Sequence, residues 1–280
     1  MRSVMRGLGM LAAVVVLGTI LVRTQAAPEG LHRPYDELLD LYVRDGLVYY
    51  GALKSDRRRL DAYVAALDGP RAQAVDRWAQ DEQLAFWINA YNAWVLRTVI
   101  DHYPIRGSAG DFPANALRQV PGAFDRTVHR IAGRSLTLDQ IETTVLSGFH
   151  DPRVYLAIGR GALGSGRLRS EAYSGSTLGA TLQSVAQEFA TGGNLLDIDE
   201  SAGVVAVTPI LSWREKEFVA AYAAAANPRY AQRSPLERAL LAFVEPNLLT
   251  HEREFLERND FRVQFKPFDW RLNDLTGGRP

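Results

Sequence analysis

Residues 84–105 read LAFWINAYNAWVLRTVIDHYPI, the densest apolar run beyond the N-terminus. The run carries Phe86, Trp87, Tyr91, Trp94 and Tyr103, and no charge falls between Glu82 and Arg97. Two asparagines, Asn89 and Asn92, sit within it. Pro104 supplies a stop, since proline cannot continue a helix and disfavours helical geometry in the residue before it. The stretch predicts a helix over about 78–102 that is apolar nearly all round. Such a helix belongs in the middle of a domain rather than on its surface.

The rest of the chain is able to enclose it. There are 280 residues, 47% hydrophobic and 23% charged, the composition of a globular protein with a full core. Lys plus Arg and Asp plus Glu number 32 each. A zero net charge argues against a nucleic-acid partner, which requires a basic surface. Cysteine is absent, which excludes disulfides, thiolate nucleophiles and cysteine-bound metal.

Upstream, Arg2 and Arg6 precede an uncharged stretch at 7–22, followed by Thr24, Ala26, Ala27 and Pro28. This is the pattern of a secretory signal peptide. The uncharged core is shorter than the about 20 residues of a bilayer span. The expectation is a signal peptide over 1–26 and a single exported domain over 27–280, periplasmic or secreted. The alternative is an uncleaved anchor that holds the protein to the membrane through residues 7–22.

Helical spacing marks 34–44 and 52–67, with Asp45-Gly46 as a turn and residues 47–50 as a strand. Residues 105–125 read as a long loop. A hairpin is expected around Gly133, and Thr137 with Gln140 forms the Thr-x-x-Gln version of a capping box. RVYLAI at 153–158 reads as a strand, and the glycine-rich 159–171 as a flexible connection. Helices follow at 178–189, 218–226 and from Pro235. Strands are expected at 204–207 and 263–265. The fold class is α+β: a helix-rich single domain with a small mixed or antiparallel sheet around the buried central helix.

EQLAFWINAYNAWVLRTVIDHYPI, together with GLVYYGALKSDRRRLDAYVAAL, RSLTLDQIE, DPRVYLAI and FDWRLN, resembles the family called domain of unknown function 547. The resemblance runs in order over residues 40–273. It implies an exported or membrane-attached α+β domain whose molecular role is largely unassigned. It also implies a Glu-His pair where this chain has Glu142-Thr143, and a histidine where it has Tyr155. Where the family has Asn-Cys-Ala-Ser and then Cys-Pro, this chain has Gly159-Arg160-Gly161-Ala162 and Ser165-Gly166. The chain resembles a divergent member without the family's cysteine and histidine residues. Thiol–imidazole chemistry is therefore unavailable to it.

What remains as candidate chemistry is Glu142, Tyr155 and Ser165 for catalysis, and Asn89, Asn92, Arg160, Arg167 and Arg169 for ligand binding. Ser165 would need a base that the local sequence lacks. Asn89 and Asn92 share a helix face and either orient a ligand or pin neighbouring loops. The arginines, with Arg153, either form an anion pocket or pair with acids such as Glu142 and Glu171. Gly159 to Gly164 matches G-x-G-x-x-G formally, but no helix opens at the third glycine as a dinucleotide site requires. None of the five histidines has metal-ligand spacing, so neither a metal nor a cofactor is expected. Trp213 and Trp270 read as packing rather than a carbohydrate platform, a reading that an exposed tryptophan pair would change.

Three functions remain open. The favoured one is a binding or interaction module of the cell envelope, for a small molecule or an envelope protein. The second is a hydrolase- or transferase-like enzyme rebuilt around the 159–171 loop, which requires Glu142 and Ser165 to converge in one pocket. The third is a structural envelope protein with no ligand.

Overall fold

Ten successive side chains, residues 84–93, are all buried, and the architecture follows from that. The computed structural model describes residues 30–277; the signal-peptide and anchor expectations concern residues outside that range. Among the described residues the central helix is the fourth of eleven α-helices. Before it come α1 (Arg33–Tyr42), a hairpin of β1 (Val43–Arg44) and β2 (Leu47–Val48), α2 (Tyr50–Ser55) and α3 (Arg58–Ala66). The helix expected over 52–67 is thus broken in two around Asp56. The central helix α4 spans Gln80–His102 and packs against α2 and α3. It begins two residues later than expected, because Trp78 has extended backbone. It ends where predicted, before Tyr103-Pro104.

The loop over 105–125 holds one turn of 3-10 helix, Leu117–Gln119. The hairpin follows as β3 (His129–Ile131) and β4 (Arg134–Leu136). Thr137 then caps α5 (Leu138–Gln140) with both hydrogen bonds of the capping box. This helix widens into a π turn, Ile141–Val145, and closes as a 3-10 turn, Leu146–Phe149.

RVYLAI is not a strand. Val154–Ala157 forms α6, a helical turn buried throughout. The Val154 and Tyr155 N–H groups donate to Asp151 and Pro152 carbonyls. A fully buried run of five, residues 154–158, carries no periodicity to separate strand from helix, and here the Asp-Pro turn nucleates the helix. The three-stranded sheet forms further on. After α7 (Leu178–Thr191) come β5 (Leu196–Asp199) and β6 (Val204–Val207) in antiparallel register. The helices α8 (Ile210–Trp213), α9 (Glu215–Tyr222), α10 (Pro235–Val244) and α11 (Thr250–Glu257) carry the chain back to β7 (Arg262–Phe265), parallel to β6. The sheet is therefore mixed, order β5-β6-β7.

The closing segment ties the ends together. Ala162 bridges Leu272, and Val48 bridges Asp274. Tyr50 donates to Asn273 Oδ1 at 2.7 Å and Tyr103 to Asp274 Oδ2 at 2.8 Å. FDWRLN is thus a clasp between the first hairpin and the glycine-rich segment.

Candidate functional site

The site is built from α4 outward. Asn89 Nδ2 donates to the Tyr173 carbonyl at 2.8 Å, and the Tyr173 N–H donates to Asn89 Oδ1 at 2.9 Å. Asn92 repeats the arrangement three residues on. Its Nδ2 donates to the Ala157 carbonyl at 3.2 Å, and the Gly159 N–H donates to its Oδ1 at 2.7 Å. Each amide replaces a backbone partner in the buried segment that crosses α4. Burying those peptide groups unpaired would cost about 1–3 kcal/mol each. Both asparagines therefore brace residues 157–173, the second of the two roles read from their spacing.

The braced segment is packed, where a flexible loop was expected. Residues 159–162 are buried. Gly161 has φ +64°, the left-handed region that glycine enters without strain. A Cβ on Gly166 would lie 1.6 Å from the Leu156 carbonyl oxygen. Gly161 and Gly166 thus allow close backbone approach.

Next to this segment lies a buried ion cluster. The π turn of residues 141–145 directs Glu142 inward, a placement that π geometry often gives to special side chains. Glu142 Oε1 accepts from Arg160 Nη2 at 2.6 Å and from Arg214 Nη2 at 2.7 Å. Its Oε2 accepts from Tyr91 Oη at 3.4 Å. Burial alone would raise the carboxyl's pKa, but the two guanidiniums outweigh it and hold Glu142 below the usual carboxylate range. Tyr155 joins from α6. Its hydroxyl donates to Glu217 at 3.2 Å, and Arg214 lies over its ring at 4.7 Å. Burial, then the Glu217 charge, pushes the Tyr155 phenol upward. A carboxylate held between two arginines is a poor general base, and a phenol raised this way is a poor nucleophile.

Ser165 faces elsewhere. Its hydroxyl accepts from the Arg160 N–H at 2.9 Å and lines a groove of about 490 Å³. The groove runs between the 162–167 segment, α7 and the first hairpin turn. Leu156, Leu163, Val185 and Phe189 supply apolar wall, and Asp45, Arg167, Glu188 and Asn194 supply polar groups. Arg167 pairs with Asp45 at 3.2 Å, and Arg169 with Glu171 at 2.5 Å and Glu188 at 3.0 Å. Arg153 pairs with Asp151 at 2.7 Å. The four arginines therefore answer four different sets of acids.

Of the candidate residues, Ser165 and Arg167 share the groove, and Glu142, Tyr155 and Arg160 share the ion cluster. Arg214 and Glu217 complete that cluster and were not anticipated. Their only sequence signal is that a buried acid requires a counter-charge, which does not say where along the chain it lies. Among the described residues no group of three or more His, Asp or Glu is placed to hold a metal ion. No helix of the described residues is long and apolar enough to cross a membrane.

Fold and site together define a helix-rich α+β domain organised on one buried helix, with an ion cluster and a groove on either side of a packed glycine-rich segment. Residues 75–190 match the family model described as Protein of unknown function, DUF547, and the chain contains no cysteine. The match covers α4 to α7. It leaves outside it the first hairpin and the FDWRLN clasp, whose likeness to the family rests on the quoted motifs. Comparison with curated proteins and with solved structures gives no match.

Proposed function

We propose that this protein is a binding module without covalent catalysis, and that its ligand sits in the groove beside Ser165. The observation that carries this reading is the separation of Glu142 from Ser165. The rebuilt-enzyme alternative needs both in one pocket. Instead Arg160 stands between them, with its backbone on Ser165 and its guanidinium on Glu142. The described structure places no imidazole or carboxylate on the Ser165 hydroxyl. A hydroxyl without a base remains protonated and weakly nucleophilic. The groove, by contrast, has the mostly apolar wall and the few polar groups of a small-ligand seat.

Export is part of the same proposal. It rests on the charged, apolar and small-residue order of residues 1–27. Mass spectrometry of the protein made with its natural N-terminus tests it, the expected mature chain starting at Ala27. An N-terminus at Met1 in a cytoplasmic fraction contradicts it.

The binding reading is tested by offering purified protein a panel of esters, peptides and acyl-transfer donors. No turnover above background is expected. Robust turnover that copurifies with the protein and disappears in Ser165→Ala overturns the reading in favour of the enzyme.

A further inference from the structure

We propose that Trp213, Phe268 and Trp270 form a sugar-stacking shelf that continues the groove, and that the ligand is an uncharged oligosaccharide. This rests on the binding reading above and names its ligand class. Trp213 ends α8 with 44% of its surface exposed. Its ring lies 19° from parallel to that of Trp270, centroids 6.2 Å apart. Phe268 sits 5.0 Å from the first and 4.4 Å from the second. An aromatic face receives the C–H face of a pyranose by apolar contact and leaves the hydroxyls free for polar groups at the rim.

Trp213 is the exposed member of the shelf; Phe268 and Trp270 are half-buried against the core. The Arg160 guanidinium lies 5.9 Å from the Trp213 centroid, and Arg118 lies 4.7 Å from that of Trp270. Rings fixed in advance lose little freedom on binding. A second cavity of about 310 Å³ is lined by Phe268 and shares Leu163, Asn194 and Leu195 with the groove. Phe268 thus joins the shelf, through that cavity, to the groove as one track.

The charges along the track select its occupant. Arg167, Lys266 and Arg271 are matched by Asp45, Glu188 and Asp269, so neither an anionic nor a cationic polymer is favoured. An extended peptide would add to a free backbone edge, but this wall is already paired. The Leu163 and Gly164 N–H groups donate to the Arg271 and Asp269 carbonyls at 2.9 and 2.8 Å, and the Lys266 N–H donates to Val207 at 2.7 Å. What the wall offers is side chains. The Asp269 carboxylate is gripped by Arg271 Nε at 3.0 Å and Nη2 at 2.5 Å, and keeps lone pairs for ligand hydroxyls.

Titration of the full chain with β-1,4-linked glucose and N-acetylglucosamine tetramers tests the proposal, read by calorimetry and tryptophan emission. Tetragalacturonate and tetra-alanine serve as the charged and peptide comparisons. Saturable binding of at least one uncharged tetramer with a shift in emission is expected. Trp213→Ala should weaken it about tenfold with circular dichroism and melting unchanged, and Trp213→Phe should retain most of it. The proposal is overturned if neither uncharged tetramer binds, or if Trp213→Ala leaves their binding intact. It is also overturned if tetra-alanine binds in a way that Leu163→Trp blocks and Trp213→Ala does not; the groove would then be a binding site without a sugar shelf.

Discussion

Glu142 Oε1 and Arg160 Nη2 meet at 2.6 Å, with 9% and 4% of their side chains exposed. The pair spans the π turn and the glycine-rich segment, and Arg214 reaches the same oxygen. The resemblance to the family implies histidine and cysteine side chains near this place. Here it is filled by charges that satisfy one another.

Removing one member of such a cluster leaves the others buried without compensation, which costs about 3–5 kcal/mol. Glu142→Gln should therefore lower the urea midpoint by that equivalent, with the slope unchanged. Arg160→Met should do the same. Wild-type stability in Glu142→Gln would mean that the cluster is wet and loosely held.

Asn92→Ala strips partners from the Gly159 N–H and the Ala157 carbonyl. A loss of about 2–4 kcal/mol is expected. Hydrogen exchange should report it locally, as faster exchange at Gly159. Asn89→Ala should act in the same way at Tyr173. Unchanged protection at both amides would assign the asparagines to something other than bracing.

Gly166→Ala forces a methyl toward the Leu156 carbonyl oxygen, 1.6 Å from the ideal Cβ position. The backbone must shift, at a cost of about 3 kcal/mol or more. A thermal melt compares it with Gly110→Ala, where a Cβ meets nothing within 4 Å. Equal effects would mean that the segment is mobile after all.

His129 stacks on Trp94 at 4.4 Å, and its Nε2 is buried without a partner. Burial, then the nearby Arg97 charge, lowers its pKa from 6.5 to about 4. The unfolded chain thus binds the proton more readily than the fold between those two values. Stability should be complete above about pH 6.5 and fall as the pH drops toward 4, by up to about 3 kcal/mol for this group. His129→Phe should flatten that slope in denaturant titrations across the window. An unaltered slope would place the loss on other groups, such as His32, whose burial also lowers its pKa from 6.5 to about 4.

The sequence carried the fold further than the site. An uncharged run over 83–96, in a segment stopped by Pro104, is sufficient to specify a buried helix, and Thr137 with Gln140 is sufficient to start one. Glycine and proline placed most turns. The run 153–158 was ambiguous because burial on every side erases the period by which helix and strand differ. β5 escaped notice because Leu196–Asp199 alternates apolar and acidic residues over only four positions. In the site, the sequence offered Glu142 and Glu171 as partners for the arginines without saying which arginine each meets; the structure pairs them with Arg160 and Arg169. Arg214 was not legible, since its place beside Glu142 is set by the packing of α8 and α9, distant in the chain. Trp213 and Trp270 were visible as two residues, but their stacking and the exposure of Trp213 are properties of the folded rim.

The proposed binding reading requires that Ser165 is not an activated nucleophile. A fluorophosphonate probe, which modifies activated serine hydroxyls, tests it most directly, with adducts located by mass spectrometry on the intact protein. The account predicts no adduct at Ser165, whose hydroxyl receives the Arg160 N–H and meets no base. Stoichiometric labelling of Ser165 that is absent in Ser165→Ala would contradict it.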